Sequence, residues 1–171
     1  MPHDALENTL RHARREPLWQ PGPATRAVDL RGDALERLVP HRPPFLLIDA
    51  ITAYDLDQGA IAGRRRIDPA DPVLVGHFPG NPVYPGVLLQ EAMAQVLACL
   101  GPLLVGGGAE NVFATSSRAV FLQPVFPNDE LVLLAVRIGT HDGLYSRGVG
   151  QVLRDGQVCA AAILEGCHVG P

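Results

Sequence analysis

Pro85-Gly86-Val87-Leu88-Leu89-Gln90-Glu91-Ala92-Met93-Ala94-Gln95-Val96-Leu97-Ala98-Cys99-Leu100 is the stretch that decides the fold. Leu, Ala, Met, Gln and Glu dominate it, and all of them favour helix. Pro85 suits a first turn, where its missing N–H is not needed, and Gly101-Pro102 suits an end. The helix is apolar nearly all round, so it is expected to be buried on most sides.

Working outward, the flanks change character. Phe45 to Tyr54 and Ala60 to Ile67 read as strands about a turn at Asp55-Leu56-Asp57-Gln58-Gly59. Asp68 to Tyr84 is rich in Pro and Gly and reads as a loop. A glycine-rich linker at Gly106 to Gly108 follows the helix. Beyond it, strand patterns run over about Asn111 to Leu122, Glu130 to Thr140, Leu144 to Arg154 and Gln157 to Glu165. Asp155-Gly156 between the last two is a hairpin signal. An antiparallel sheet needs an apolar cover on one face. Wrapping it around the single long helix buries both partners, which is the α+β hot-dog arrangement.

The N-terminal part reads differently. Asp4 to Arg15 has Leu6 and Leu10 at helical spacing, and Pro17, Pro21, Gly22 and Pro23 then break the chain. Residues 1–28 are expected to be an appendage or linker, and residues 29–171 the main domain. A short helix capped by Asp33 is expected at Asp33 to Leu38.

Composition narrows the function classes. With 171 residues, 47% hydrophobic, the chain can build one real core. A formal net charge of −4 argues against a general nucleic-acid binder. Charges at Asp4, Glu7, Arg11, Arg14 and Arg15 interrupt any signal-peptide pattern. Val83 to Val105 is the best membrane-span candidate, but Gln90, Glu91, Gln95 and two interior prolines argue against it. Cys99, Cys159 and Cys167 show no ligand spacing, and they read as buried thiols of a reducing, cytoplasmic compartment. His3, His12, His141 and His168 show no ligand pattern either, so no metal or organic cofactor is implied.

The chemistry concentrates at Gly76-His77-Phe78-Pro79-Gly80-Asn81-Pro82-Val83-Tyr84-Pro85-Gly86-Val87 and the helix that follows. His77 stands in a stiff loop and suits a general base. Glu91 lies two turns into the apolar helix, where desolvation favours the protonated form that a general acid needs. Gly86 offers an unhindered backbone N–H near a helix start, where partial positive charge polarises a carbonyl oxygen. Base, acid and carbonyl polariser are the parts of an elimination beta to a carbonyl. Each signal alone has a structural alternative. A loop histidine is more often structural, and a helix glutamate can face solvent or a subunit interface.

Several ordered motifs then resemble the bacterial 3-hydroxyacyl-acyl carrier protein dehydratases of the FabZ type. They are Leu38-Val39-Pro40-His41-Arg42-Pro43-Pro44-Phe45-Leu46-Leu47-Ile48-Asp49, the His77 segment, Glu91-Ala92-Met93-Ala94-Gln95, Phe113-Ala114, and Phe121-Leu122-Gln123-Pro124-Val125-Phe126-Pro127-Asn128-Asp129. The resemblance covers about Leu38 to Glu165. It implies that His77 and Glu91 are the catalytic dyad, one from each subunit of a dimer. It also implies an apolar tunnel for an acyl chain and an acyl carrier protein as partner. Phe78, Tyr84, Gly86 and Gln95 are expected around the substrate. A homo-oligomer is expected, with a hetero-oligomer of related subunits as the other possibility.

Departures from that pattern bear on substrate choice. Tyr84 stands where methionine is common, Arg118-Ala119-Val120-Phe121 stands where a Lys-Ala-Arg-Phe segment is frequent, and Pro44 replaces a frequent tyrosine or other residue. Fatty-acid, polyketide and polyene synthesis all remain open. Two rival readings on the same fold are an acyl-thioesterase and a non-catalytic subunit that supports another dehydratase. His41 is read as structural. At most Arg64 and Arg66 of the arginine run share a strand face.

Overall fold

The structure, a computed structural model, describes residues 2–141 and 145–169. Its elements run α1 Pro2–Ala13, β1 Arg26–Leu30, α2 Asp33–Glu36, β2 Ala50–Asp55, β3 Ala60–Arg66, α3 Val73–Gly76, α4 Gly86–Ala98, α5 Leu100–Val105, β4 Asn111–Phe121, β5 Glu130–His141, β6 Tyr145–Arg154 and β7 Gln157–Val169. The strands form one antiparallel seven-stranded sheet in the order β1-β2-β3-β5-β6-β7-β4. Helix α4 packs on its concave face against β5, β6, β7 and β3.

The α4 side chains Leu89, Met93 and Val96 bury among Ile51, Ile61, Leu133, Val152 and Ala160. Close approach depends on glycine: a Cβ at Gly150 would lie 2.6 Å from Met93 Cβ. Strand β7 is buried from Cys159 to Leu164. Its alternation explains this: Ala160, Ala162 and Leu164 belong to the α4 side, and Ala161 and Ile163 to the opposite side.

That opposite face is covered by the N-terminal residues. Leu6, Leu10 and Ala13 of α1 pack on Val149, Ala161 and Ile163. Trp19 packs on Ala60, Ala62, Leu134 and Leu153. Burying each large side chain contributes roughly 1.5–3 kcal/mol. The buried Gln151 ties the segment down: its Nε2 donates to the carbonyls of Ala13 and Glu16, and its Oε1 accepts from Leu18 N. Residues 26–30, whose start falls in the expected linker, pair with β2 as a strand.

Several boundaries differ from the sequence reading. Phe45 to Asp49 precedes β2 rather than belonging to it. The Phe45 carbonyl and the Leu47 N–H bond the Gln95 side chain of α4 instead of a neighbouring strand. Gly32, not Asp33, holds the N-cap position of α2. A short helix, α3, interrupts the loop expected from Asp68 to Tyr84. Gly101-Pro102 does not end the helical region, because Pro102 falls in the first turn of α5, where an N–H is not needed. The stop comes at Gly106, left-handed at φ 69°, which donates to Pro102 O. The β6–β7 hairpin turns at Asp155 and Gly156, both at positive φ. The expected strand start at Leu144 lies outside the described residues, as do the side chains of His3 and His141.

By length and composition Gly86–Val105 is apolar enough to cross a membrane, with a mean hydropathy of 1.6. Packing against the sheet accounts for Leu89, Ala92, Met93 and Val96, while Val87 and Val105 stay exposed.

Candidate active site

His77 follows α3 directly. Its Nδ1 lies 2.8 Å from the Val83 carbonyl. A carbonyl only accepts, so Nδ1 carries the proton and Nε2 is left with a free lone pair. The loop braces itself: Val83 N donates to His77 O at 2.8 Å, and Asn81 N donates to Phe78 O at 2.9 Å. The Phe78 ring stacks on the imidazole with centroids 4.1 Å apart. A cavity of about 440 Å³ opens at His77, bordered by Tyr84, Gly86, Val87 and Phe121. Gly86 begins α4, and a Cβ there would come within 2.9 Å of the Phe121 ring. The site therefore needs glycine at that point.

Glu91 lies on α4, half-buried, at one end of a second cavity of about 850 Å³. Its Oε1 accepts from Gln95 Nε2 at 2.9 Å, one helical turn on. Gln95 is itself fixed. Its Oε1 accepts from Leu47 N at 2.8 Å, and its Nε2 also donates to Phe45 O at 2.8 Å. These two backbone partners settle the amide's orientation, so an N–H must face Glu91.

His41, read from the sequence as structural, stands next to the carboxylate. Its Nε2 lies 3.6 Å from Glu91 Oε1, and its Nδ1 is buried without a hydrogen-bond partner. It stands against the Phe45 ring, at 5.9 Å between centroids. The available signal was its place in the Pro40 to Asp49 motif, which the Gln95 bonds draw onto α4. Arg42 shapes the same loop by donating to the carbonyls of Val39 and His41 and pairing with Glu36.

Tyr84 is 3% exposed and belongs mainly to the core, although it also borders the His77 cavity. Burial pushes its phenol upward in pKa, and the nearby Arg65 guanidinium partly opposes this. Arg65 bonds Asp49 at 3.1 Å, so an ionic cluster sits beside the phenol. Arg64 pairs with Asp29 and Arg66 bonds Asn128, each on the strand face opposite Arg65.

Within one chain the structure brings Glu91 together with Gln95 and His41, and His77 together with Phe78 and Gly86. His77 and Glu91 open onto different cavities, and among the described residues only Val87 borders both.

One long helix in a curled antiparallel sheet, with a histidine loop leading into it and a carboxylate in its second turn, defines a hot-dog protein of the α+β class. The FabA-like domain model matches residues 39–163, and the chain belongs to that family. It is 38% identical over 135 residues to the 3-hydroxyacyl-[acyl-carrier-protein] dehydratase FabZ of Aliivibrio fischeri, covering 77% of this chain and 88% of that one. It is 37% identical to the FabZ of an Anaeromyxobacter strain, covering 76% and 84%. The bifunctional LpxC/FabZ enzyme of Chlorobaculum tepidum is 36% identical over 138 residues, and this chain spans 28% of its length. Among solved structures, the dehydratase heterocomplex ApeI:P of Xenorhabdus doucetiae aligns with a TM-score of 0.65 at 15% identity, over 80% of this chain and 91% of that one. The fold is thus the same.

Proposed function

We propose that this protein is a hydro-lyase that removes water from a 3-hydroxyacyl thioester on acyl carrier protein and leaves the trans-2-enoyl thioester. Membership of the FabA-like family and the similarity to FabZ dehydratases support the reaction. The observation that carries the site is the Nδ1–Val83 bond, which leaves His77 Nε2 free to accept a proton. His77 takes the proton from C2. Glu91, protonated at the start, delivers a proton to the C3 hydroxyl, which departs as water. The proton on His77 is then returned to Glu91 through solvent. The Gly86 N–H, at the positive end of α4, stabilises the thioester oxygen as negative charge builds on it.

The dyad is completed between two copies of the chain. Two separate cavities on each protomer support this reading. So does β4, an edge strand of the sheet with Phe113 and Phe121 exposed. An unpaired edge of that length is a template for another chain. Pairing with a related subunit instead of a second copy is the alternative arrangement. The reaction belongs to a cytoplasmic acyl-assembly route.

Mass spectrometry of a 3-hydroxyacyl carrier after incubation with the protein tests the reading. Loss of one water with the thioester intact is the expected result. Release of free carrier thiol instead would make the protein a thioesterase.

A further inference from the structure

The Glu91 cavity does not end in apolar side chains alone. It follows one face of α4 and α5 past Ala94, Ala98 and Gly101 to Leu104. From Glu91 to Leu104 this is about 20 Å of helix at 1.5 Å per residue. The small side chains at Ala94, Ala98 and Gly101 leave room for a chain lying along the helix. At the far end three polar side chains, the exposed Glu110 with Ser146 and His168, stand among Val105, Val112, Phe113 and Val169.

Those three side chains form one hydrogen-bonded row. His168 Nδ1 lies 2.8 Å from Glu110 Oε2, and His168 Nε2 lies 2.6 Å from Ser146 Oγ. In the neutral ring, a carboxylate on Nδ1 fixes the proton there, and Nε2 then accepts from Ser146. The serine hydroxyl has then spent its only proton, and its oxygen keeps a lone pair for an incoming donor. Strand pairing fixes the row, since β6 and β7 run side by side with Ser146 opposite Gly166. Nothing in the dehydration mechanism uses these residues.

We propose that this row reads the tail of the acyl chain, and that the favoured substrate carries a hydroxyl at the end remote from the thioester. Such a hydroxyl donates to Ser146 Oγ, whereas a methyl end leaves the row without a partner. A carboxylate end would bring a second anion towards Glu110 and offers no proton, so it is disfavoured. The proposal rests on the dehydratase reading, because that reading places the acyl chain beside Glu91.

The test compares a 3-hydroxyoctadecanoyl carrier, long enough to span that path, with its counterpart hydroxylated at the terminal carbon, by kcat/KM. The wild-type protein is expected to prefer the hydroxylated tail by about tenfold, the scale of one net hydrogen bond. Ser146→Ala and His168→Ala are expected to bring that ratio near unity. The ratio is internal to each variant, so a general loss of activity does not mimic the effect. Should His168→Ala fold poorly, Ser146→Ala removes one oxygen and gives the same reading. Equal rates on the two tails in the wild type, or a preference that survives Ser146→Ala, would overturn the proposal. A 3-hydroxybutyryl carrier, too short to reach the row, separates the two readings. If the wild type dehydrates it but ignores the tail, only the tail proposal fails; if it cannot dehydrate any of the three, the function fails and the tail proposal falls with it.

Discussion

Gln95 Nε2 donates to Glu91 Oε1 at 2.9 Å, and the same amide is held by Phe45 O and Leu47 N. One buried side chain thus fastens the Pro40 to Asp49 segment to α4 and aims a donor at the carboxylate. Gln95→Leu removes all three bonds and leaves two backbone groups unpaired. The expected cost is about 1–3 kcal/mol for each buried orphan. Thermal melting should fall by several degrees, and kcat should fall in the protein that remains folded. A wild-type melting curve with wild-type kcat would show that the network does not hold Glu91.

His41 Nε2 faces the same oxygen at 3.6 Å. His41→Phe keeps a ring against Phe45 and removes the nitrogen. A group acting through Glu91 is expected to cost on the order of tenfold in kcat, below the 10² or more of a direct proton-transfer residue. Unchanged kcat would leave His41 a packing residue.

His77→Ala and Glu91→Gln should each lower dehydration by about 10²-fold or more. Mixed under conditions where subunits exchange, the two inactive variants should regain activity, because one site in each mixed pair is intact. Failure of the mixture, with exchange demonstrated by differently tagged chains, would place both residues in one protomer's site.

Cys99 gives the protein an alkaline weakness. Burial pushes its thiol up to about 12 from a usual 9.0. Between those values the unfolded chain has lost the proton and the folded chain has kept it. The folded state binds more protons there, so stability is full below pH 9.0 and falls as pH rises towards 12. Cys99→Ala should lessen that decline. Denaturant titrations of both proteins on either side of pH 9.0 check it, and parallel declines would assign the effect to other groups.

What the sequence determined by itself was local chemistry and periodicity. The apolar run from Gly86 to Ala98 specified a helix, but not the side it buries: Leu89, Ala92, Met93, Gln95 and Val96 are buried, while Val87 is exposed. Alternation and the Asp155-Gly156 turn specified the last hairpin. His77, Gly86 and Glu91 stood out as candidates because their residue types are unusual for a stiff loop, a helix start and an apolar helix. What tertiary structure alone decided depended on distant partners. The Phe45 to Asp49 segment has strand-like residues, yet Gln95 takes its backbone groups, 48 positions away in the case of Leu47. The role of Leu6, Leu10 and Trp19 rests on the outer face of β5 to β7, which no local pattern announces. The polar row of Glu110, Ser146 and His168 exists only because the chain returns across β6 and β7. Hydrogen bonds of that kind depend on distance in space, and sequence spacing carries no trace of it.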